Sequence, residues 1–211
     1  MNCDRIAPYY ALMERLSFGS LLASLRRRYL NELGSARHVL VLGGGDGRAL
    51  KDLLAACPRA QVDYVDCSRR MLELARRRAG SARVKYYLAD ALEWPMLQDY
   101  YDAVVTHFFL DCFTAPELDR LSRRLSVSAK PDANWVISEF RIPHTWLASA
   151  ARGLIGLMYC FFGLLTGLKT NRLEDHREFL IRAGFRLISC ESTLCGILAA
   201  EFWKRDGASV Y

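Results

Sequence analysis

From position 36 onward the chain alternates short apolar runs with longer stretches whose apolar residues recur every three or four positions. The runs His38-Val-Leu-Val-Leu42, Val62-Asp-Tyr-Val65, 84–88, Tyr101-Asp-Ala-Val-Val-Thr106 and Trp135-Val-Ile-Ser138 predict β-strands, and the stretches 48–57, 69–79 and 115–127 predict helices. Strands separated by helices of this length imply a doubly wound, Rossmann-like α/β sheet with helices on both faces. Two more strand-like runs, 185–191 and 196–203, are joined by only four residues, 192–195. So short a link forces an antiparallel pair, because a parallel pair needs a crossover of about a dozen residues or more. The expectation is a seven-stranded, mostly parallel sheet whose last strand is antiparallel.

Ahead of the first strand, Ile6, Tyr9, Tyr10, Met13 and Leu16 recur at helical spacing, so residues 1–33 are expected to form a helical cap of one or two amphipathic helices. Between the fifth strand and the last helix, residues 153–168 carry no charge and are bounded by Arg152 and Lys169. A membrane-spanning helix needs about 20 residues. This segment therefore reads as a buried or interfacial helix inside an apolar, substrate-covering insertion at 145–170, with peripheral contact to a membrane surface as one role and ordinary core packing as another.

Length and composition fill in the picture. At 211 residues the chain suits one domain, and 52% hydrophobic with 25% charged residues is a globular composition with a real core. The net charge of +6 owes much to Arg26-Arg27-Arg28, Arg76-Arg77-Arg78 and Arg123-Arg124, which fall in helix-like stretches and read as solvated helix faces; no specific nucleic acid is expected as a partner. Seven cysteines without a C-x-x-C pair read as buried, reduced thiols of a cytoplasmic protein, and no metal site is expected. The first residues carry Asp4 and Glu14 and lack the uninterrupted apolar stretch of a signal peptide.

The informative motif is Val39-Leu-Val-Leu-Gly-Gly-Gly-Asp-Gly-Arg48, a strand entering a glycine-rich turn and then a helix. Glycine tolerates positive φ and has no Cβ, so a ligand can approach the backbone at a helix N-terminus. The spacing Gly43-x-Gly45-x-Gly47 departs from the dinucleotide fingerprint, which wants a third glycine where Arg48 stands. Asp66 ends the next strand, beside the glycine turn in such a sheet, where its carboxylate can accept hydrogen bonds from both hydroxyls of a ribose; Ser68 is the better candidate for the following helix cap. Asp90, after the third strand, is placed to accept from an exocyclic amine such as that of adenine, or is simply an exposed loop aspartate.

The successive tracts VLVLGGGDGRAL, VDYVDCSRRMLELARRR, LADALEW and YDAVVTHFFLDCF resemble, in order, the cofactor-binding motifs of class I S-adenosylmethionine (AdoMet)-dependent methyltransferases. More narrowly, Asp4-Arg-Ile-Ala-Pro-Tyr-Tyr10, Ser17-Phe-Gly19, Ala183-Gly-Phe185 and Gly196-Ile-Leu-Ala199 are similar to the ubiquinone/menaquinone-biosynthesis C-methyltransferases. The resemblance implies AdoMet as cofactor, with Gly43, Gly45 and Gly47 facing its methionine part, Asp66 and Cys67 at the ribose, Met71 over the adenine ring, Asp90 and Ala91 at the adenine edge, and His107 near the methyl group. It also implies a small and apolar, quinone-like or lipid-like acceptor.

Three positions depart from that pattern. Val41 stands where the family usually has an acidic residue, the tract 106–111 lacks the asparagine and arginine of the quinone enzymes, and Tyr10-Ala11 lacks the usual aspartate. Each bears on the acceptor and none on methyl transfer itself. If the acceptor must lose a proton, His107 and Asp111 follow the fourth strand and are candidate bases, with Tyr10 on the cap as a group that orients the acceptor. Glu139, Arg141 and His144 after the fifth strand are weaker candidates. O-, N- or S-methylation of another metabolite, aminopropyl transfer, RNA methylation and non-catalytic cofactor binding are the competing readings.

Overall fold

The computed structural model describes residues 20–143, Gly153 and residues 173–207. Seven strands form one sheet: β1 (His38–Leu42), β2 (Gln61–Asp66), β3 (Val84–Leu88), β4 (Tyr101–His107), β5 (Ala129–Phe140), β6 (Phe185–Thr193) and β7 (Leu198–Arg205), in the order β3-β2-β1-β4-β5-β7-β6. β1 pairs in parallel with β2 and β4, and β4 with β5, whereas β7 runs antiparallel to both β5 and β6. The expected architecture is present, with the reversed strand inserted between β5 and β6. The turn between β6 and β7 centres on Leu194–Gly196, two residues beyond the predicted start of the link, and Leu194 and Cys195 take positive φ there.

Helices cover both faces, as the apolar pattern requires. On one side α1 (Leu21–Arg27) packs against Phe140, Leu198 and Ala200, and α2 (Arg48–Ala56) and α3 (Arg69–Ala79) pack over Val39, Val41, Val62 and Val105. On the other, α4 (Ala115–Ser128) and α5 (His176–Arg182) enclose Leu40, Leu42, Val104, Leu110 and two tryptophans. Those tryptophans, Trp135 and Trp203, are direct cross-strand partners and both fully buried. Each indole N–H finds an acceptor, Thr106 Oγ1 at 3.0 Å and Glu201 Oε2 at 2.8 Å, so their apolar area is buried without orphaning a donor.

The helix ends are written in the sequence. Ser68 Oγ accepts from Met71 N at the start of α3, Thr114 and Glu117 close a reciprocal cap on α4 with Pro116 in its first turn, and Asp175 accepts from Arg177 N on α5. α2 instead begins at Gly47, φ +79°, where an added Cβ would lie 2.6 Å from Ala75 Cα of α3. Gly47→Ala is therefore expected to destabilise the fold by about 1–3 kcal/mol, from the left-handed conformation together with the helix–helix overlap. A fall in the urea midpoint at unchanged slope is the measurement that checks it.

Several arginines and cysteines depart from their expected roles. Arg26 is buried, 8% exposed, with its guanidinium 5.2 Å from the Phe108 ring centroid, while Arg124 donates to the carbonyls of Ala91, Leu92 and Trp94. Arg27, Arg28, Arg76 and Arg77 do lie on exposed helix faces. Of the described cysteines only Cys57 is fully buried; Cys67 and Cys195 are exposed. Tyr10, the helical cap before residue 20 and the 145–170 insertion apart from Gly153 lie outside the described residues. No helix among the described residues is long and apolar enough to cross a membrane.

Candidate active site

All the predicted site residues that are described gather along one edge of the sheet, where β1, β2, β3 and β4 end at their C-termini. A glycine turn at the end of the central strand, with acidic side chains at the ends of its neighbours, is the crevice in which open α/β sheets hold their ligands.

The turn itself is tightly held. Gly43 N donates to Val65 O at 2.9 Å, Gly45 N to Asp66 Oδ2 at 2.9 Å, and Tyr64 Oη donates to Gly45 O at 3.1 Å. Asp46, within the turn, pairs with Arg48 at 3.1 Å and with Arg78 of α3. Of the three motif glycines, only Gly45 (φ +63°) has its bare side on open space, with nothing within 4 Å of where a Cβ would sit. The bare side of Gly43 lies against the Phe109 ring and that of Gly47 against Ala75, so these two are required for packing as well as for the turn. Gly45 is thus the position where a ligand can rest on main chain.

Asp66 is 8% exposed and anchors two strands of this loop structure, with Oδ1 accepting from Ser68 N at 2.8 Å and Oδ2 from Gly45 N. Those contacts fix the carboxylate beside Gly45, on the edge where a ribose would lie. Cys67, next in the chain, is exposed; Met71, one helical turn on, is 6% exposed. Asp90 is exposed at the end of β3 with Oδ1 accepting from Leu92 N at 2.8 Å, and Ala91 beside it is buried in the core. An open main-chain cradle, a ribose-competent carboxylate and a second carboxyl farther along the edge fit a nucleoside with a charged tail.

At the end of β4 the structure separates the proposed bases. His107 shares a hydrogen bond through Nδ1 with Ser138 Oγ at 2.9 Å, and its buried Nε2 has no hydrogen-bond partner among the described residues. Burial, and then the nearby Arg26 charge, push its pKa down to about 3, so the ring is neutral at physiological pH. Asp111 behaves in the opposite sense: burial raises it to about 6, against the Cys112 thiol and the His176 ring, which lower it. Glu139 is 1% exposed at the rim of β5, and burial, then Asp111, hold its pKa well above the carboxylate range. Nearby, Phe108 and Phe140 meet at a tilt with centroids 5.1 Å apart, and Phe109 and Phe113 meet edge-on at 4.9 Å.

Sequence reading undervalued Glu139 and overlooked Tyr64 and Glu201. The apolar run ended at Ser138, so Glu139 looked like loop; β5 continues because Glu139 and Phe140 pair with Ala199 and Leu198 of β7. A tyrosine inside the β2 run was the one local signal for the clamp on Gly45.

This architecture and this edge define a Rossmann-like protein built to hold a nucleoside at the C-terminal ends of its parallel strands. A family profile described as a methyltransferase domain matches residues 39–132. The demethylmenaquinone methyltransferase of Thermus thermophilus is 34% identical over 162 residues, 74% of this chain and 69% of the relative. The ubiquinone/menaquinone biosynthesis C-methyltransferase UbiE of Stutzerimonas stutzeri is 27% identical over 208 residues, covering 95% of this chain and 78% of that one. Among solved structures, the mitomycin 7-O-methyltransferase MmcR superposes with a TM-score of 0.70 at 18% identity over 97% of this chain, which spans 61% of that longer protein. The chain belongs to the class I AdoMet-dependent methyltransferases, and S-adenosylmethionine is its cofactor.

Proposed function

We propose that this methyltransferase modifies a small, apolar, quinone-like or lipid-like acceptor, chiefly at carbon. The observation that carries this reading is the aromatic rim beyond β4 and β5, where Phe109 and Phe113 pack on the face of the sheet that carries Glu139 and Phe108 and Phe140 pack on the other. Such a wall favours a flat apolar ring and disfavours a solvated polyanion. The relatives named for demethylmenaquinone and ubiquinone biosynthesis support the same class.

When bound, the cofactor supplies a methyl group on a sulfonium whose positive charge disappears on transfer. The chain's own work is then to hold the partners in line and exclude water. Asp66 grips the ribose, Gly45 carries the tail over bare main chain, and Asp90 with Ala91, Cys67 and Met71 frames the base. Neutral His107 forms a hydrogen-bonding wall, and Asp111, near neutrality in proton affinity, is the better base of the two. Tyr10 and the 145–170 segment are assigned to the acceptor side on sequence alone, with contact to a membrane surface through 153–168. The site of action is cytoplasmic.

Incubating the purified protein with methyl-labelled AdoMet and a cell lipid extract is expected to place label in the organic phase. Label confined to added RNA would overturn the reading. O-methylation is the second reading, favoured by the ability of Asp111 to ionise a hydroxyl. Hot hydroiodic acid separates the two, since it strips a methyl from oxygen and leaves one on carbon.

A further inference from the structure

α3 carries five arginines and one glutamate in eleven residues. Met71, Leu72, Ala75 and Ala79 form its buried stripe, so helical periodicity turns Arg69, Arg70, Glu73, Arg76 and Arg77 outward, and all five are exposed. The exposed arginines of α1 and α4 have acidic partners. Arg27 pairs with Asp52, Arg28 with Glu191, Arg120 with Glu93 and Arg123 with Asp119. On α3, Arg78 pairs with Asp46 and the Arg76 guanidinium lies 5.1 Å from the Tyr86 ring centroid, whereas Arg69 and Arg77 make no ion pair among the described residues.

This unmatched charge borders an open groove. Among the described residues its lining is Arg69, Arg70, Glu73, Leu74 and Arg77, around a volume of about 450 Å³, the size of a small-molecule site. Arg69 and Arg77 stand two turns apart, about 12 Å along the helix axis, so guanidiniums mark both ends of the groove. Three guanidiniums against one carboxylate suit phosphate esters, because each planar fork meets two oxygens at once and is weakly hydrated. No aromatic ring lines the groove among the described residues, so it lacks the platform on which the bases of a nucleic-acid strand stack. Half-buried Leu74 within it, and Leu88, 48% exposed and on the α3 side of β3 by strand alternation, suit instead the apolar layer beneath lipid phosphates.

The groove also lies close to the chemistry. α3 follows β2 through Cys67 and Ser68, so its first turn stands at the sheet edge that holds the cofactor, and Arg78 donates to Asp46 O of the glycine turn at 3.0 Å. We infer that the α3 groove docks this methyltransferase on an anionic phospholipid membrane, with Arg69, Arg70 and Arg77 receiving lipid phosphates and the cofactor edge held at the bilayer surface. The contact is separate from residues 153–168. It needs no acceptor in the membrane, so a vesicle without quinone tests it apart from the function proposed above.

The measurement is co-sedimentation of the protein, loaded with S-adenosylhomocysteine, with vesicles of phosphatidylglycerol and phosphatidylcholine in equal parts, against phosphatidylcholine alone. The wild type is expected to partition onto the anionic vesicles about tenfold more strongly or better, and less so as salt rises. Each arginine near such a surface is worth about fivefold, so Arg69→Gln/Arg77→Gln should lose about twentyfold. Arg120→Gln/Arg123→Gln on α4 removes the same net charge from the other side of the sheet and should stay within about twofold of wild type. A wild type that binds both vesicles alike overturns the inference, and so does a control that loses as much as the groove variant, since binding then follows net charge alone. Capture by single-stranded RNA without capture by anionic vesicles assigns the groove to nucleic acid and overturns it as well. Should the groove variant fail to bind S-adenosylhomocysteine, Glu73→Gln decides: removing the one carboxylate of the groove should tighten vesicle binding about fivefold, and no change counts against the inference. Label in the organic phase of the lipid-extract assay together with no vesicle binding leaves the proposed function standing.

Discussion

Asp66→Ala is expected to weaken S-adenosylhomocysteine binding by about 2–4 kcal/mol, thirtyfold to a thousandfold, with a smaller loss of folding stability. The ribose hydroxyls account for only part of that loss. Asp66 also accepts from Gly45 N and Ser68 N, so its removal leaves two main-chain donors unanswered and frees the one motif glycine whose bare side faces open space. Asp66→Asn keeps an oxygen for one of the two donors and should fall between alanine and wild type. Isothermal titration of all three proteins checks the order; an alanine variant that binds as tightly as wild type would remove Asp66 from the site.

Glu201→Ala should cost about 3–5 kcal/mol of folding stability, the largest single effect anticipated outside the cleft. Glu201 is fully buried on β7 and accepts from His176 at 3.0 Å, Arg177 at 2.8 Å and Trp203 at 2.8 Å, so truncation strands three donors at once. The same cluster sets a pH dependence. Burial alone would raise its pKa, but hydrogen bonding and charge from His176, then Arg177 and Trp203, hold it at about 2, against 4.5 for an ordinary glutamate. A depressed folded-state pKa gives stability that is present above the unfolded value and lost as pH falls from about 5 toward 2, on the order of 2–3 kcal/mol. Asp111 and Glu139 are raised and act in the opposite direction, favouring the fold as pH falls. Urea unfolding at pH 7 and pH 4 resolves the two: the difference in stability between wild type and Glu201→Ala should narrow in acid. A constant difference would show that the carboxylate charge contributes nothing.

The alternation of strand and helix was legible because each element repeats its own period over five or more residues, and the caps at Ser68 and Thr114 were legible because capping is local. The glycine turn and Asp66 were legible for the same reason, as two strand ends read in sequence order. What escaped depends on pairings far apart in the chain. Glu139 joins β5 only through β7, about sixty residues later, and Glu201 meets His176 and Arg177 only once α5 has folded onto β7. Arg26 sits in a run of three like residues, and nothing local says that one of them turns inward to lie over Phe108.

Phe109 has its main-chain N–H bound to Glu139 and its phenyl ring pressed on Gly43. On the proposed reading, the wall offered to the acceptor and the floor under the donor are therefore one mechanical part. Enlarging that ring drives it into the turn after β1, and trimming it leaves a gap there. Any change of acceptor preference made at this position registers in cofactor affinity as well, so new specificities in this chain are easier to reach from other sides of the cleft.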